Sequence, residues 1–327
     1  ECEKTARLTS NSVPDGDYNI QLVWSQNGTS ETQINSPGNL YSKSVKISTK
    51  QKQEVSISLS KIIPERTLIE HNLVELFSFY SDTLTKWWNR PMNIKASVLL
   101  PSGYSNNPNK NYPIRYNVAG YGGRYTRVNR LVNNEEFISW WTSEDAPQII
   151  TVFLDGEGPF GDSYQLDSEN SGPYGAMLIN ELIPKIEKQY RVLGTSKTRF
   201  VDGCSTGGWV SLALQLFYPE TFNGCWSYSP DPVSFHKMQL VNMYKDENAF
   251  YNNRRYLRPS MRDIYGDPQF SIKEEISYEN VDGVSNTFTT SGRQWGAWNA
   301  LYSPKGKDGL PIPIFDPING TIDKKVV

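Results

Sequence analysis

The chain has 327 residues and a formal net charge of −2, and charged residues of both signs are scattered along it. This pattern has no basic stripe that would indicate a nucleic-acid partner and no acidic tail that would suit a basic one. Hydrophobic residues make up 37% of the chain and occur in short runs, none near the roughly 20 residues of a membrane span. The composition predicts a soluble globular protein with one large domain and a smaller one.

Three cysteines, Cys2, Cys204 and Cys225, are too few and too unevenly spaced for a disulfide framework or a metal site. We expect Cys204 and Cys225 to be small buried side chains on neighbouring strands. The sequence therefore predicts neither a metal nor another cofactor. The chain begins at Glu1 without an initiator Met or an apolar leader, which suggests that an N-terminal portion is missing.

Residues 1–62 are rich in Ser, Thr, Asn and Gln and contain alternating, strand-like runs at 17–24, 44–49 and 54–59. The pattern predicts a β-rich N-terminal unit over 1–62. Three strands seldom form a stable domain alone. We expect this unit either to pack on the following domain or to belong to a larger sandwich.

From about residue 66, six apolar strand-like runs alternate with turns and helical stretches, which is typical of an α/β domain with a mostly parallel sheet. The six runs are 68–79, 93–100, 114–119, 148–155, 198–202 and 222–229. Residues 174–190 predict a helix whose apolar face is Leu178, Leu182, Ile186 and Tyr190. We therefore predict an α/β domain over 63–327.

The segment "VDGCSTGG" at 201–208 matches the pattern G-x-S-x-G from Gly203 to Gly207, between a predicted strand and a predicted helix. A serine on such a sharp turn is held at the carboxyl edge of the sheet, and small neighbours let strand and helix approach closely. We predict that Ser205 is a nucleophile and that the Thr206 N–H, at the helix N-terminus, binds an oxyanion. The alternative is a glycine-rich turn with an incidental serine.

The glycine-rich segment at 119–123, "AGYGG", follows another predicted strand. In hydrolases with this type of turn, the second oxyanion donor is an N–H from the loop after an earlier strand. We assign that donor to Tyr121 or Gly122, with a plain glycine turn as the alternative. Residues 156–175 form a second polar loop at the end of a strand, which is either a ligand-binding loop or a solvated surface loop.

Residues 93–235 resemble the putative esterase family of α/β-hydrolases, which includes relatives of esterase D and feruloyl esterases. The resemblance rests on "NIKASVLLPSGY", "YPIRYNVAGYGG", "NELIPKIEKQYRV", "DGCSTGGW" and "YPETFNGCWSYSPDPVSF". It implies an α/β-hydrolase fold and ester hydrolysis through an acyl-serine on Ser205. By analogy it also implies a secreted or periplasmic enzyme whose substrate is a small ester or an acylated polysaccharide.

A serine hydroxyl needs a base, and in this fold the base is a histidine that follows the acid in the chain. The chain has two histidines, His71 and His236. His71 precedes the nucleophile, and His236 follows it by too few residues for two further strand and helix units. The candidate acid is Asp231, after the strand at 222–229, although an aspartate before a proline also suits a turn.

The number of predicted strands offers an explanation for why no histidine in this sequence is well placed to act as the base. Six strands are recognisable and the usual fold has eight, so we expect the last two strands, the acid and the histidine to lie beyond Val327. The alternative function is a catalytically incomplete hydrolase fold that binds or scaffolds. The aromatic residues Trp295, Trp298 and Tyr302 are either a ligand platform or part of the core.

Overall fold

The computed structural model describes residues 14–24, 37–279 and 293–327, so Cys2 lies outside the described residues. Two compact units divide the chain, the first extending to Arg66 and the second comprising Thr67–Val327.

The described residues of the first unit form five short strands. They are β1 (Asp17–Ile20), β2 (Val23–Trp24), β3 (Leu40–Tyr41), β4 (Val45–Ser48) and β5 (Lys61–Ile62). β1 pairs with β4, and β2, β3 and β5 form a separate antiparallel sheet. The strand predicted at 54–59 is wrong, because this segment is mostly exposed and has no buried face that would favour pairing.

The described strands of the second unit are six long strands and six short strands, and the short strands pair as three hairpins. They are β6 (Val74–Tyr80), β7 (Asn93–Leu99), β8 (Ile114–Val118), β9 (Ile150–Leu154), β10 (Glu157–Gly158), β11 (Gly161–Asp162), β12 (Asp167–Ser168), β13 (Gly172–Pro173), β14 (Arg199–Cys204), β15 (Gly224–Tyr228), β16 (Pro259–Arg262) and β17 (Pro268–Ser271). The short ones pair in sequence as β10 with β11, β12 with β13 and β16 with β17.

The six long strands form one sheet in the order β15, β14, β8, β9, β7, β6. β15, β14, β8 and β9 run parallel, whereas β7 and β6 are antiparallel to their neighbours. Each of the six predicted strands is present, and the α/β fold class of the α/β-hydrolase type is confirmed. Because the carboxyl ends of β8, β9, β14 and β15 meet at one edge, the loops after them lie together.

The described residues of the second unit form eight α-helices. They are α1 (Asp82–Trp88), α2 (Val128–Val132), α3 (Glu135–Trp141), α4 (Tyr174–Met177), α5 (Ile183–Gln189), α6 (Thr206–Phe217), α7 (Ile272–Glu279) and α8 (Gln294–Tyr302). A π-helical turn, Leu178–Leu182, joins α4 to α5, so the helix predicted at 174–190 is continuous. None of the described helices is long and apolar enough to cross a membrane.

Burial follows the apolar face predicted for residues 174–190. Leu178, Leu182, Ile186 and Tyr190 are all buried, as the spacing predicts. In α6 most residues are buried, but Leu216 and Phe217 in its last turn are 66% exposed.

The two described cysteines lie on the neighbouring strands β14 and β15. Cys225 is partly buried, but Cys204 ends β14 at the sheet edge and is exposed. The prediction of a buried Cys204 is therefore wrong.

Candidate active site

Ser205 forms the turn between β14 and α6, with φ 59° and ψ −125°. Such left-handed angles are strained for a residue with a side chain and cost on the order of 1–3 kcal/mol. The Ser205 N–H donates to the Tyr228 carbonyl at 3.0 Å, and the Ser205 carbonyl accepts from the Trp209 N–H at 3.1 Å. These bonds hold the serine between the ends of two strands and the first turn of α6.

The glycines around Ser205 are required by close approach of backbones. A Cβ on Gly203 would lie 2.4 Å from the carbonyl carbon of Gly207, and one on Gly207 would lie 2.2 Å from the carbonyl oxygen of Val118. No side chain fits at such distances, so α6 contacts β14 and β8 directly through these two positions. This explains why the sequence has glycine on both sides of the serine.

Asp231, the candidate acid, lies directly against this turn. The Ser205 hydroxyl donates to Asp231 Oδ1 at 3.3 Å, and the Thr206 hydroxyl donates to Asp231 Oδ2 at 2.8 Å. The Tyr164 hydroxyl also donates to Oδ2, at 3.2 Å. Asp231 is only 8% exposed, and these neutral donors replace the water that a buried carboxylate loses.

Two residues of α8 complete the surroundings of Asp231. Gln294 Nε2 donates to Asp231 Oδ2 at 3.1 Å, and Trp298 Nε1 lies 3.4 Å from the same oxygen. Gln294 was not predicted from the sequence, because nothing in its local pattern links it to a residue 63 positions away. Trp295 and Trp298 are each 2% exposed, so these two rings belong to the core and the platform interpretation is wrong for them. Tyr302, the third residue of the predicted platform, is partly buried.

Neither histidine contacts Ser205 or Asp231 in the part of the chain that the structure describes. The exposed His236 has Nδ1 3.4 Å from the Ser234 hydroxyl, and its ring lies 4.7 Å from that of Tyr244. His71 Nδ1 accepts from the Leu73 N–H at 3.2 Å, in the turn before β6. The two histidines are the only ones in the sequence, so this chain presents no imidazole to the serine.

The glycine loop after β8 lies beside Ser205, since a Cβ on Gly120 would be 3.7 Å from the Ser205 Cβ. Gly122 has φ +70°, and its N–H donates to the Asp162 carboxyl. Asp162 is 4% exposed, and burial raises the pKa of its carboxyl to about 7. The assignment of the second oxyanion donor to Tyr121 or Gly122 stays a prediction. Thr206 is the first residue of α6, where the N–H groups have no acceptor within the helix.

A serine hydroxyl that donates to a carboxylate can lose its proton to that carboxylate, but a carboxylate is a much weaker base than an imidazole at neutral pH. Among the described residues, no three His, Cys, Asp or Glu side chains are grouped as a metal site requires. The arrangement has a strained serine, a helix N-terminus and an acid in contact.

The chain resembles several solved structures at low identity. A ferulic acid esterase matches at 22% identity over 51% of this chain and 65% of that chain, with a TM-score of 0.42. An S-formylglutathione hydrolase from Agrobacterium tumefaciens matches at 18% identity over 48% and 58%, with a TM-score of 0.38. The fluorophosphonate-binding serine hydrolase FphF from Staphylococcus aureus matches at 13% identity over 52% and 63%, with a TM-score of 0.40. The chain thus covers less than two thirds of each of these proteins.

A comparison with curated proteins finds no match. The family model described as putative esterase matches residues 89–267, more than half of the chain, and includes the Ser205 turn, the glycine loop and Asp231. The chain therefore belongs to the putative esterase family.

Proposed function

We propose that this chain hydrolyses carboxylic esters through an acyl intermediate on Ser205, and that it does so slowly because no histidine serves as base. The observation that carries the proposal is the Ser205 hydroxyl, held on a strained turn with Oγ 3.3 Å from Asp231 Oδ1. Membership of the putative esterase family supports the same reaction class.

In the proposed reaction, Ser205 Oγ attacks the acyl carbon of the ester and its proton passes to Asp231 Oδ1. The carbonyl oxygen becomes an oxyanion near the N-terminus of α6, where the Thr206 N–H and the helix dipole stabilise negative charge. The alkoxide then leaves with the proton from Asp231. Water attacks the acyl-serine by the same steps, and the acid and free Ser205 are regenerated.

We expect a low rate of ester hydrolysis because no histidine acts as base. In serine hydrolases that lose one member of the catalytic triad, the oxyanion site and substrate binding alone leave roughly 10³ to 10⁴ over the reaction in water. We expect turnover in that range for this chain. Acylation of Ser205 is the slow step, because a carboxylate is a poor acceptor of a hydroxyl proton near pH 7.

The second candidate is a binding protein that recognises esters on a hydrolase fold without turning them over. The contact of Gln294 Nε2 with Asp231 Oδ2 favours it, because the amide uses an oxygen that would otherwise orient a base. The substrate prediction of an acylated polysaccharide and the secreted or periplasmic location stay predictions under either function.

The two candidates differ in turnover. We would treat the protein and its Ser205→Ala variant with a fluorophosphonate probe and with p-nitrophenyl acetate. Ser277→Ala is the matched control, because Ser277 is exposed on α7 and bonds only within its own helix. The proposal expects slow labelling and slow turnover that Ser205→Ala abolishes and Ser277→Ala retains. Turnover equal to that of a protein-free solution would favour the binding protein.

A further inference from the structure

A cavity of about 270 Å³ lies at the same sheet edge as Ser205 but does not include it. Its walls come from the segment 90–95, which leads into β7, from the end of β9 and the residues after it, and from α4 and the π-helical turn. Ser205, Asp231 and the glycine loop are not among its lining residues. A ligand in this cavity would therefore bind independently of the nucleophile.

Two cationic side chains, Arg90 and Lys95, line the cavity and form no ion pair within 4 Å with a described residue. Each lies near an aromatic ring, and Lys95 also interacts electrostatically with Asp155. The Arg90 guanidinium carbon lies 5.8 Å from the Trp88 ring centroid, and Lys95 Nζ lies 5.7 Å from that of Tyr125. Arg90 Nη2 is buried and has no hydrogen-bond partner among the described residues. A guanidinium in that state, with an ammonium nearby, is suited to an anion.

Both acidic residues of the same cavity pair with one arginine behind the wall. Asp155 Oδ1 accepts from Arg124 Nε at 2.6 Å, and Glu157 is also paired with Arg124. The side chains of Arg124 and Asp155 are at most 13% exposed, so solvent screens their pairing little. Arg90, Lys95 and Arg124 together therefore exceed Asp155 and Glu157 by one positive charge.

Gln165 adds a buried acceptor at the wall. It is 3% exposed, and its Nε2 donates to the Asp155 carbonyl at 2.7 Å, which fixes the orientation of the amide. Oε1 is buried and has no hydrogen-bond partner among the described residues. Gln165 also has φ 43°, and Tyr164 before it has φ 54°. A buried acceptor without a partner costs free energy, and a bound donor would recover that cost. The positive φ angles add a separate cost in backbone strain.

The remaining wall is apolar. It includes Met92, Ile94, Met177, Leu178 and Leu182. Aliphatic and thioether side chains of this kind adapt to a flat or branched apolar body. The volume lies just below the usual range for small-molecule sites, which limits the occupant to a small molecule.

We propose that this cavity binds a small carboxylate that also carries a hydroxyl or N–H group. The carboxylate contacts Arg90 and Lys95, the apolar body lies against Met177 and Leu178, and the hydroxyl or N–H donates to Gln165 Oε1. This inference does not depend on the proposed ester hydrolysis.

The test is a titration of the protein with 4-hydroxybenzoate, in which binding is measured by calorimetry and by ligand-observed NMR. The neutral 4-hydroxybenzamide has nearly the same shape and serves as the control ligand. We expect saturable binding of 4-hydroxybenzoate with a millimolar or lower Kd and at least about tenfold weaker binding of the amide, because charge-assisted hydrogen bonds are the stronger ones.

The variants locate the ligand. Arg90→Gln and Lys95→Gln should each raise the Kd about tenfold, whereas Arg130→Gln and Lys188→Gln, which alter exposed cations elsewhere, should not. Ser205→Ala should leave the Kd unchanged. Lys95 is only partly buried, so its variant remains informative if Arg90→Gln fails to fold. No saturable binding, equal binding of the amide, insensitivity to Lys95→Gln, or loss of binding in Ser205→Ala would each overturn the proposal.

Discussion

Gln294 Nε2 donates a hydrogen bond to Asp231 Oδ2 at 3.1 Å, while the other oxygen of the same carboxylate accepts from Ser205 Oγ at 3.3 Å. In a serine triad the acid accepts its hydrogen bond from the imidazole that acts as base. The amide of Gln294 makes a hydrogen bond of that type but cannot take a proton at neutral pH. The acid and the nucleophile are thus in contact, and the group beside them is not a base.

Replacing Gln294 with histidine should supply the missing base. An imidazole at the start of α8 can donate to Asp231 and accept from Ser205, and general-base assistance is worth about 10²-fold or more when geometry is good. We expect Gln294→His to raise p-nitrophenyl acetate turnover at least about tenfold, with a rise in rate as pH passes the ordinary imidazole pKa of about 6.5. Gln294→Asn is the control, since it keeps an amide. A Gln294→His rate equal to that of Gln294→Asn would contradict this prediction.

The close approach at Gly207 predicts a large loss of stability on substitution. A Cβ there would lie 2.2 Å from a backbone oxygen of β8, which cannot rotate away. We expect Gly207→Ala to lower the free energy of unfolding by on the order of 3 kcal/mol, measured by urea denaturation. Gly224→Ala is the matched control, because a Cβ on Gly224 has no heavy atom within 4 Å. Its effect should stay within about 0.5 kcal/mol, and equal effects of the two variants would argue against the packing described for α6.

Glu279 should make stability depend on pH. Burial raises the pKa of its carboxyl to about 8, and this carboxyl accepts from the Trp295 N–H at 3.0 Å. Between the unfolded value near 4.5 and about 8, the folded state holds a proton that the unfolded state has released, so stability falls as pH rises through this window. Asp162, whose pKa burial raises to about 7, acts in the same direction.

Glu279→Gln removes one of these two titrations and should flatten the fall in unfolding free energy between pH 5 and pH 8, by a few kcal/mol at most. Glu220→Gln, at an exposed turn after α6, is the control and should keep the wild-type slope. Parallel pH profiles for the wild type and Glu279→Gln would show that the Glu279 carboxyl does not hold its proton in the folded state.

The sheet was predictable from the sequence because each central strand is a short apolar run bounded by turn residues. The position of Ser205 was predictable for a local steric reason, since only glycines at Gly203 and Gly207 allow the backbones to approach. The strand expected at 54–59 failed because alternation alone does not show whether a partner covers one face.

The surroundings of Asp231 could not be predicted in the same way. Tyr164 and Gln294 reach its carboxylate from 67 and 63 residues away, and each is an ordinary polar residue in its own segment. Contacts of this kind depend on how the 156–175 loop and α8 pack on the sheet edge. Local sequence patterns carry no information about that packing.

The central claim is that Ser205 reacts without help from a histidine of this chain. The most direct measurement is steady-state p-nitrophenyl acetate turnover for the wild type, Ser205→Ala and His236→Ala, with the acetylated residue identified by mass spectrometry. The account predicts slow turnover, an acetyl group on Ser205, no activity in Ser205→Ala and an unchanged rate in His236→Ala. Rapid turnover that disappears in His236→Ala, or turnover that survives in Ser205→Ala, would contradict it.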